Sequence, residues 1–139
     1  MNIANIFGLH LGCIIRLENG KQFKADGVCY GKSSNRPMVR CNDEDLSLYI
    51  DHCKLLLKPL SGMSDEDKRE FERAFGYEDK VISFEIYKEK TVLVCFEFTD
   101  FDGDPMDRWD DVSLNEILWL CSKGYDVGIV PDEYKEVVE

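Results

Sequence analysis

No apolar run in this 139-residue sequence reaches the ~18 consecutive positions that a membrane-crossing helix needs, so no membrane span is expected. The opening segment MNIANIFGLHLG is apolar, but it has no basic leader and no small-x-small cleavage pattern, so it does not read as a signal peptide. Histidine is scarce: only His10 and His52 are present. No Cys-x-x-Cys or close Cys/His pair occurs, which leaves a structural zinc site without support. The GxSxG, HExxH and GxGxxG patterns are also missing, and with them the common signatures of serine hydrolases, zinc proteases and dinucleotide-binding enzymes.

Core-forming residues are plentiful. Apolar residues make up 44% of the chain and aromatic residues 12%, enough to fold without a disulfide or metal staple. The length suits one compact domain over residues 1–139, with possible sub-units at 12–58 (all-β) and 62–139 (α+β). Six cysteines (Cys13, Cys29, Cys41, Cys53, Cys95 and Cys121) lie at wide spacings, four of them inside apolar stretches. With no secretion signal, they are expected to be reduced thiols of a cytoplasmic protein. Charge is divided unequally. Residues 1–60 carry a net +2 and residues 61–139 a net −13. An acidic half repels phosphate, so non-specific nucleic-acid binding is not expected, and such a surface favours basic partners. The plain alternative is a well-solvated surface.

Local patterns place the elements. Residues 1–11 suit a short helix or a packed arm. Cys13, Ile15 and Leu17 alternate with Ile14, Arg16 and Glu18 as a strand does, and Asn19-Gly20 is a strong hairpin turn. Lys21–Tyr30 reads as the return strand, Gly31–Pro37 as a loop, and Met38–Cys41, Leu46–Ile50 and Cys53–Leu57 as further short strands. Residues 12–58 thus predict a small antiparallel β unit, with an SH3-like barrel as one way of closing it. Ser64 caps a helix ending at Gly76, with Asp67 in the position of a capping box and Phe71, Ala74 and Phe75 as its apolar stripe. Residues 81–98 predict a hairpin around Lys88, Glu89 and Lys90, with Ile86 facing Val92, Phe84 facing Val94 and Ile82 facing Phe96. Ser113 and Glu116 form a capping box for a second helix, whose stripe is Leu114, Ile117, Leu118 and Cys121, widened by Trp119 and Leu120. Tyr125–Val130 reads as a short edge strand and the charged tail after Pro131 as a helical turn. The fold class is therefore α+β: an N-terminal β unit, then a β-hairpin with two packed helices.

The chemistry-bearing motifs are few. Gly31-Lys32-Ser33 resembles a phosphate-binding loop, yet Gly27 leaves three residues before it where four are needed, and Pro37 follows where a helix should start. Asp100-Phe101-Asp102-Gly103-Asp104 resembles the aspartate motif of the haloacid dehalogenase-like phosphatases. It departs from that motif in the acidic residue after the glycine, and the 35 residues beyond Asp104 are too few for the rest of that active site. The segment 99–112 reads as an acidic loop. Asp100, Asp102, Asp104 and Asp107 in it are the candidate ligands for a weak divalent cation, although Pro105 replaces the turn glycine of an EF-hand. No resident cofactor is expected. Trp109, between Arg108 and Asp110, reads either as a cover over the core or as a recognition anchor, while Trp119 belongs to the core. His52 and Cys53 are sequence neighbours on a strand and point apart, and His10 with Cys13 lacks a third orienting group.

Three stretches carry a further likeness: His10-Leu11-Gly12-Cys13 opening a hairpin, Lys54-Leu55-Leu56-Leu57-Lys58-Pro59-Leu60-Ser61 before an acidic segment, and a late helix running into Gly124-Tyr125-Asp126-Val127. In these the chain resembles small uncharacterised proteins encoded by phages and prophages of Bacteroides-type gut bacteria. That resemblance implies an intracellular, phage-linked accessory protein and carries no site residues with it. The expected function is non-enzymatic protein binding. The alternatives are a metal-dependent hydrolase using the acidic loop 100–111, and an acidic DNA mimic that occupies a host DNA-binding protein.

Overall fold

The computed structural model describes residues 2–88 and 91–138. Asn2 caps a short helix α1 (Ile3–Leu9), its side chain accepting the Asn5 N–H at 2.8 Å. Strands β1 (Ile14–Leu17) and β2 (Gln22–Lys24) form the hairpin that Asn19-Gly20 calls for, with Ile15 opposite Phe23 and Gly20 at positive φ. The return segment then breaks at Ala25-Asp26. Beyond the break, β3 (Gly27–Tyr30), β4 (Pro37–Cys41) and β5 (Leu46–Tyr49) make a separate antiparallel meander. Strand β6 (Cys53–Pro59) pairs antiparallel with β1. Gly31–Pro37 is the β3–β4 hairpin loop, closed by Gly31 N–H to Arg36 O, and no helix follows it.

Helix α2 (Asp65–Phe75) starts at Ser64, whose hydroxyl accepts the Asp67 N–H at 3.1 Å, and it stops at Gly76 with φ +70°. The capping box is only half formed, because the Asp67 carboxylate instead accepts from the Tyr125 hydroxyl. Strands β7 (Lys80–Tyr87), β8 (Thr91–Thr99) and β9 (Pro105–Asp111) form a second antiparallel sheet in that order. Ile86 faces Val92 and Phe84 faces Val94 as the pattern predicts. A bulge between Val81 and Ser83 then puts Val81, in place of Ile82, opposite Phe96. Of the expected connection, Glu89 and Lys90 lie outside the described residues. Helix α3 (Leu114–Ser122) carries the complete Ser113/Glu116 capping box.

Two short strands close the molecule. Strand β10 (Tyr125–Asp126) pairs parallel with Lys58–Pro59, and β11 (Lys135–Val137) pairs parallel with Leu55–Leu57. β11 corrects the expected terminal helical turn, which is confined to Asp132–Tyr134. The α+β class stands. No closed barrel forms among the described residues: the N-terminal strands divide into two ladders, and β6 takes partners from the C-terminal segment as well as from β1.

There are two cores. The first packs α1 and β1–β6 around Phe7, Ile15, Val39, Ile50, Leu55 and Leu57, and it includes Val130 from the far end of the chain. The second packs α2, α3 and the inner face of β7–β8 around Phe71, Val81, Val94, Phe96 and Leu120. Phe71 is its hub, with ring centroids 5.0 Å from Phe75 and Phe84, 5.5 Å from Trp119 and 5.7 Å from Tyr77. Three stripe residues, Ala74, Leu114 and Leu118, are displaced from their expected places. Ala74 faces solvent, and Leu114 is 74% exposed. α3 is rotated so that Glu116, Leu120 and Cys121 point inward, because Glu116 is needed inside to accept from both the Ser113 N–H (2.7 Å) and the Tyr77 hydroxyl. The two cores divide near residue 60, and β10, β11 and Val130 tie the later segment back to β6 and the first core.

Candidate functional site

The segment read as an acidic loop is mostly strand. Pro105–Asp111 pairs with β8 along its whole length, from Thr99↔Pro105 to Leu93↔Asp111. Only Asp100–Asp104 remains as a turn, and its geometry uses up Asp100. One carboxylate oxygen of Asp100 accepts the N–H of both Asp102 and Asp104 at 2.9 Å, while Gly103 takes φ +83° at the bend. Phe101 stands fully exposed at the tip. Asp107 is carried away from the other three onto the sheet, opposite Glu97. Among the described residues no three His, Cys, Asp or Glu side chains converge as a metal site, so Asp100, Asp102, Asp104 and Asp107 are not gathered around a common point.

The thiol–imidazole pairs are equally uncommitted to catalysis. Cys53 is buried and donates to the Tyr49 carbonyl at 3.2 Å, and burial pushes its thiol up to about 11. His52 lies on the exposed side, 3.7 Å from Glu18, in a cleft of about 180 Å³ shared with Arg16, Lys54, Asp51 and Glu133. His10 is fully buried. Its Nδ1 lies 3.0 Å from the Ile6 carbonyl and so carries the proton, while Nε2 has no partner. Cys13 points toward the Cys121 carbonyl at 3.7 Å, and burial raises both of these thiols, Cys121 to about 12. A protonated buried thiol is a weak nucleophile.

The side chains that do converge outward lie on the β7–β8–β9 sheet. Its register places three central rows of residues on the outer face. Ser83, Cys95 and Trp109 form the middle row. Glu85, Leu93 and Asp111 lie on one side of it, and Lys80, Glu97 and Asp107 on the other. Cys95 is 3% exposed, and its thiol is raised by burial first and by the nearby Asp107 carboxylate second. Trp109, the strand neighbour of Cys95, is itself 47% exposed. It is therefore not part of the core and offers about half its surface to solvent. Four carboxylates (Glu85, Glu97, Asp107 and Asp111) surround this row against the single ammonium of Lys80. None of the four makes an ion pair among the described residues.

The inner face of β9 is built differently. The Arg108 guanidinium lies 4.7 Å over the Phe96 ring and 5.8 Å from that of Phe98, and it is gripped by Asp79 and Asp110. The Asp79 contact ties β9 to the residue that precedes β7. Sequence reading singled out Asp107 and Trp109, but it missed Lys80, Glu85, Glu97 and Asp111 as members of the same surface. Strand alternation would put Lys80 and Glu85 on opposite faces; the bulge between Val81 and Ser83 brings them to the same one, and the pairing of β8 and β9 adds Glu97 and Asp111. No family model, curated protein or solved structure matches the chain.

Proposed function

We propose that the protein is a non-enzymatic protein-binding module that uses the outer face of β7–β9 to hold a basic partner. The observation that carries this reading is Trp109. It is a half-exposed tryptophan paired beside the buried Cys95, with Asp107 and Asp111 two positions to either side. Tryptophan is among the residues that dominate interface energetics when a partner completes its burial, and carboxylates around such an anchor select a positively charged surface. The alternative of a metal-dependent hydrolase on residues 100–111 finds no converging ligand set. The DNA-mimic version asks for a large unpaired acidic surface. On α2 and its surroundings many carboxylates are already engaged: Glu70 with Lys123, Glu72 with the Val81 N–H, and Asp126 with Lys135. The resemblance to phage and prophage proteins supports reading the protein as an intracellular accessory protein, its partner an unidentified protein with a basic surface.

The test is differential capture. Immobilised wild-type protein, Trp109→Ala and the double variant Asp107→Lys/Asp111→Lys are exposed to the same bacterial lysate at moderate salt. The expected result is a species retained by the wild type and reduced at least tenfold by both variants, all three proteins keeping the same circular dichroism spectrum. Equal retention by all three, or none above background, overturns the proposal.

A further inference from the structure

We infer that β9 is an acceptor edge, and that the basic partner docks by adding an extended segment, with Lys or Arg at alternate positions, as a fourth strand beside β9. This rests on the reading of the outer face as the contact surface and specifies how that surface is used. The backbone supplies the first argument. In the β8–β9 ladder, Val112 N–H bonds Val92 O at 2.9 Å and Asp100 N–H bonds Asp104 O at 3.0 Å. Hydrogen-bonded pairs recur every second residue in an antiparallel ladder, so Met106, Arg108 and Asp110 turn their N–H and C=O groups toward β8. Asp107, Trp109 and Asp111 turn theirs outward, and no chain segment pairs with that edge among the described residues. The opposite edge is treated differently. On β7 the Val81 N–H is taken by Glu72 at 2.7 Å and the Val81 carbonyl by Arg69 at 2.6 Å, so α2 covers it there.

Charge selects the occupant. The residues whose backbone groups are open are the same three whose side chains lie on the outer face. An added strand therefore sets its own alternate side chains beside Asp107, Trp109 and Asp111. Directly neighbouring opposite charges stabilise strand pairing and like charges destabilise it. A second copy of this chain pairing β9 with β9 antiparallel about Trp109 would place Asp107 against Asp111 twice, so self-pairing is disfavoured. Pro105, which has no N–H to offer, shortens the open edge at its start. What remains admits a strand reading basic, apolar, basic at alternate positions, with main-chain bonds giving affinity and the side chains giving selectivity.

The probes are three synthetic nonapeptides tested on the full chain. The first is Thr-Thr-Lys-Thr-Val-Thr-Lys-Thr-Thr. The second is the same peptide N-methylated at the residues that face β9. The third has glutamate in place of both lysines. The expected result is binding by the first only, with at least tenfold weakening in the other two. Amide exchange should also slow at least tenfold at Asp107, Trp109 and Asp111. If the lysine peptide binds and N-methylation changes nothing, strand addition is overturned while the acidic contact face stands. If no peptide binds but differential capture from lysate persists, strand addition again fails alone. If both assays are blank, both proposals fall. A concentration-dependent dimer abolished by Asp107→Lys would also overturn strand addition, because a second copy would then own the edge.

Discussion

Acidification tests the interior at a single residue. His10 is the C-cap of α1, fully buried, with Nδ1–H on the Ile6 carbonyl and an unpartnered Nε2. Burial is the largest influence on it and lowers its pKa below 6.5. The Ile6 carbonyl and the Asp126 carboxylate, itself 3.0 Å from Lys135, act in the opposite sense and are outweighed. In the unfolded chain His10 titrates near 6.5. The unfolded state therefore takes up its proton first as the pH falls. The stability contributed by keeping His10 neutral is fully present above about pH 6.5 and is lost as the pH drops below it, until the folded-state value is reached. One proton corresponds to at most about 1.4 kcal/mol per pH unit, which limits the loss between pH 7 and pH 5 to about 2 kcal/mol. Against a typical stability of about 5–15 kcal/mol that is readily measured. Urea denaturation of the wild type and His10→Gln at pH 7, 6 and 5 should show the wild type losing more stability than the variant over this interval. His52 is present in both proteins and its contribution cancels. In wild-type NMR spectra the His10 ring should titrate below 6.5, with the proton on Nδ1 in its neutral form. Parallel stability profiles, together with a ring that titrates near 6.5, would refute the reasoning.

Other residues give independent checks. Phe71→Ala removes the hub of the second core and is expected to cost about 3–5 kcal/mol by thermal or urea denaturation. Ser113→Ala deletes the hydroxyl half of the α3 capping box and should cost about 1 kcal/mol, whereas Leu114→Ala, on an exposed site, should stay within about 0.5 kcal/mol of the wild type. Titration with a thiol reagent at pH 8 should modify Cys29 rapidly in the native protein and the other five cysteines only on unfolding, because those five are buried. Fast native-state labelling of Cys53 or Cys121 would contradict their raised thiols.

What the sequence made legible was local. Asn19-Gly20, Ser64 with Gly76, and Ser113 with Glu116 each act within a few residues, and each produced the turn or helix end it signals. The Ile86/Val92 and Phe84/Val94 register followed from one apolar face. What stayed hidden depends on partners distant in the chain. Pro105–Asp111 contains three aspartates and no β-branched residue, so nothing intrinsic marks it as a strand. It becomes one by pairing with β8, and its exposed position tolerates that composition. Lys135–Val137 is a strand only because Leu55–Leu57 offers it a free side. The orientation of α3 was misjudged because counting apolar residues does not anticipate a buried glutamate with two donors waiting for it. Asp107 was noticed for its charge and assigned to a cation, when strand pairing had placed it beside Trp109.

β6 draws neighbours that lie far apart in sequence: β1 at residues 14–17, and β11 at residues 135–137. Such a strand is satisfied last. While the chain leaves the ribosome, Leu55–Leu57 waits for partners some eighty positions downstream. Until they emerge, the first core is short of Val130 and Tyr134. Long-range pairing of this kind slows folding, and it ties the completion of the first core to the synthesis of residues 130–137.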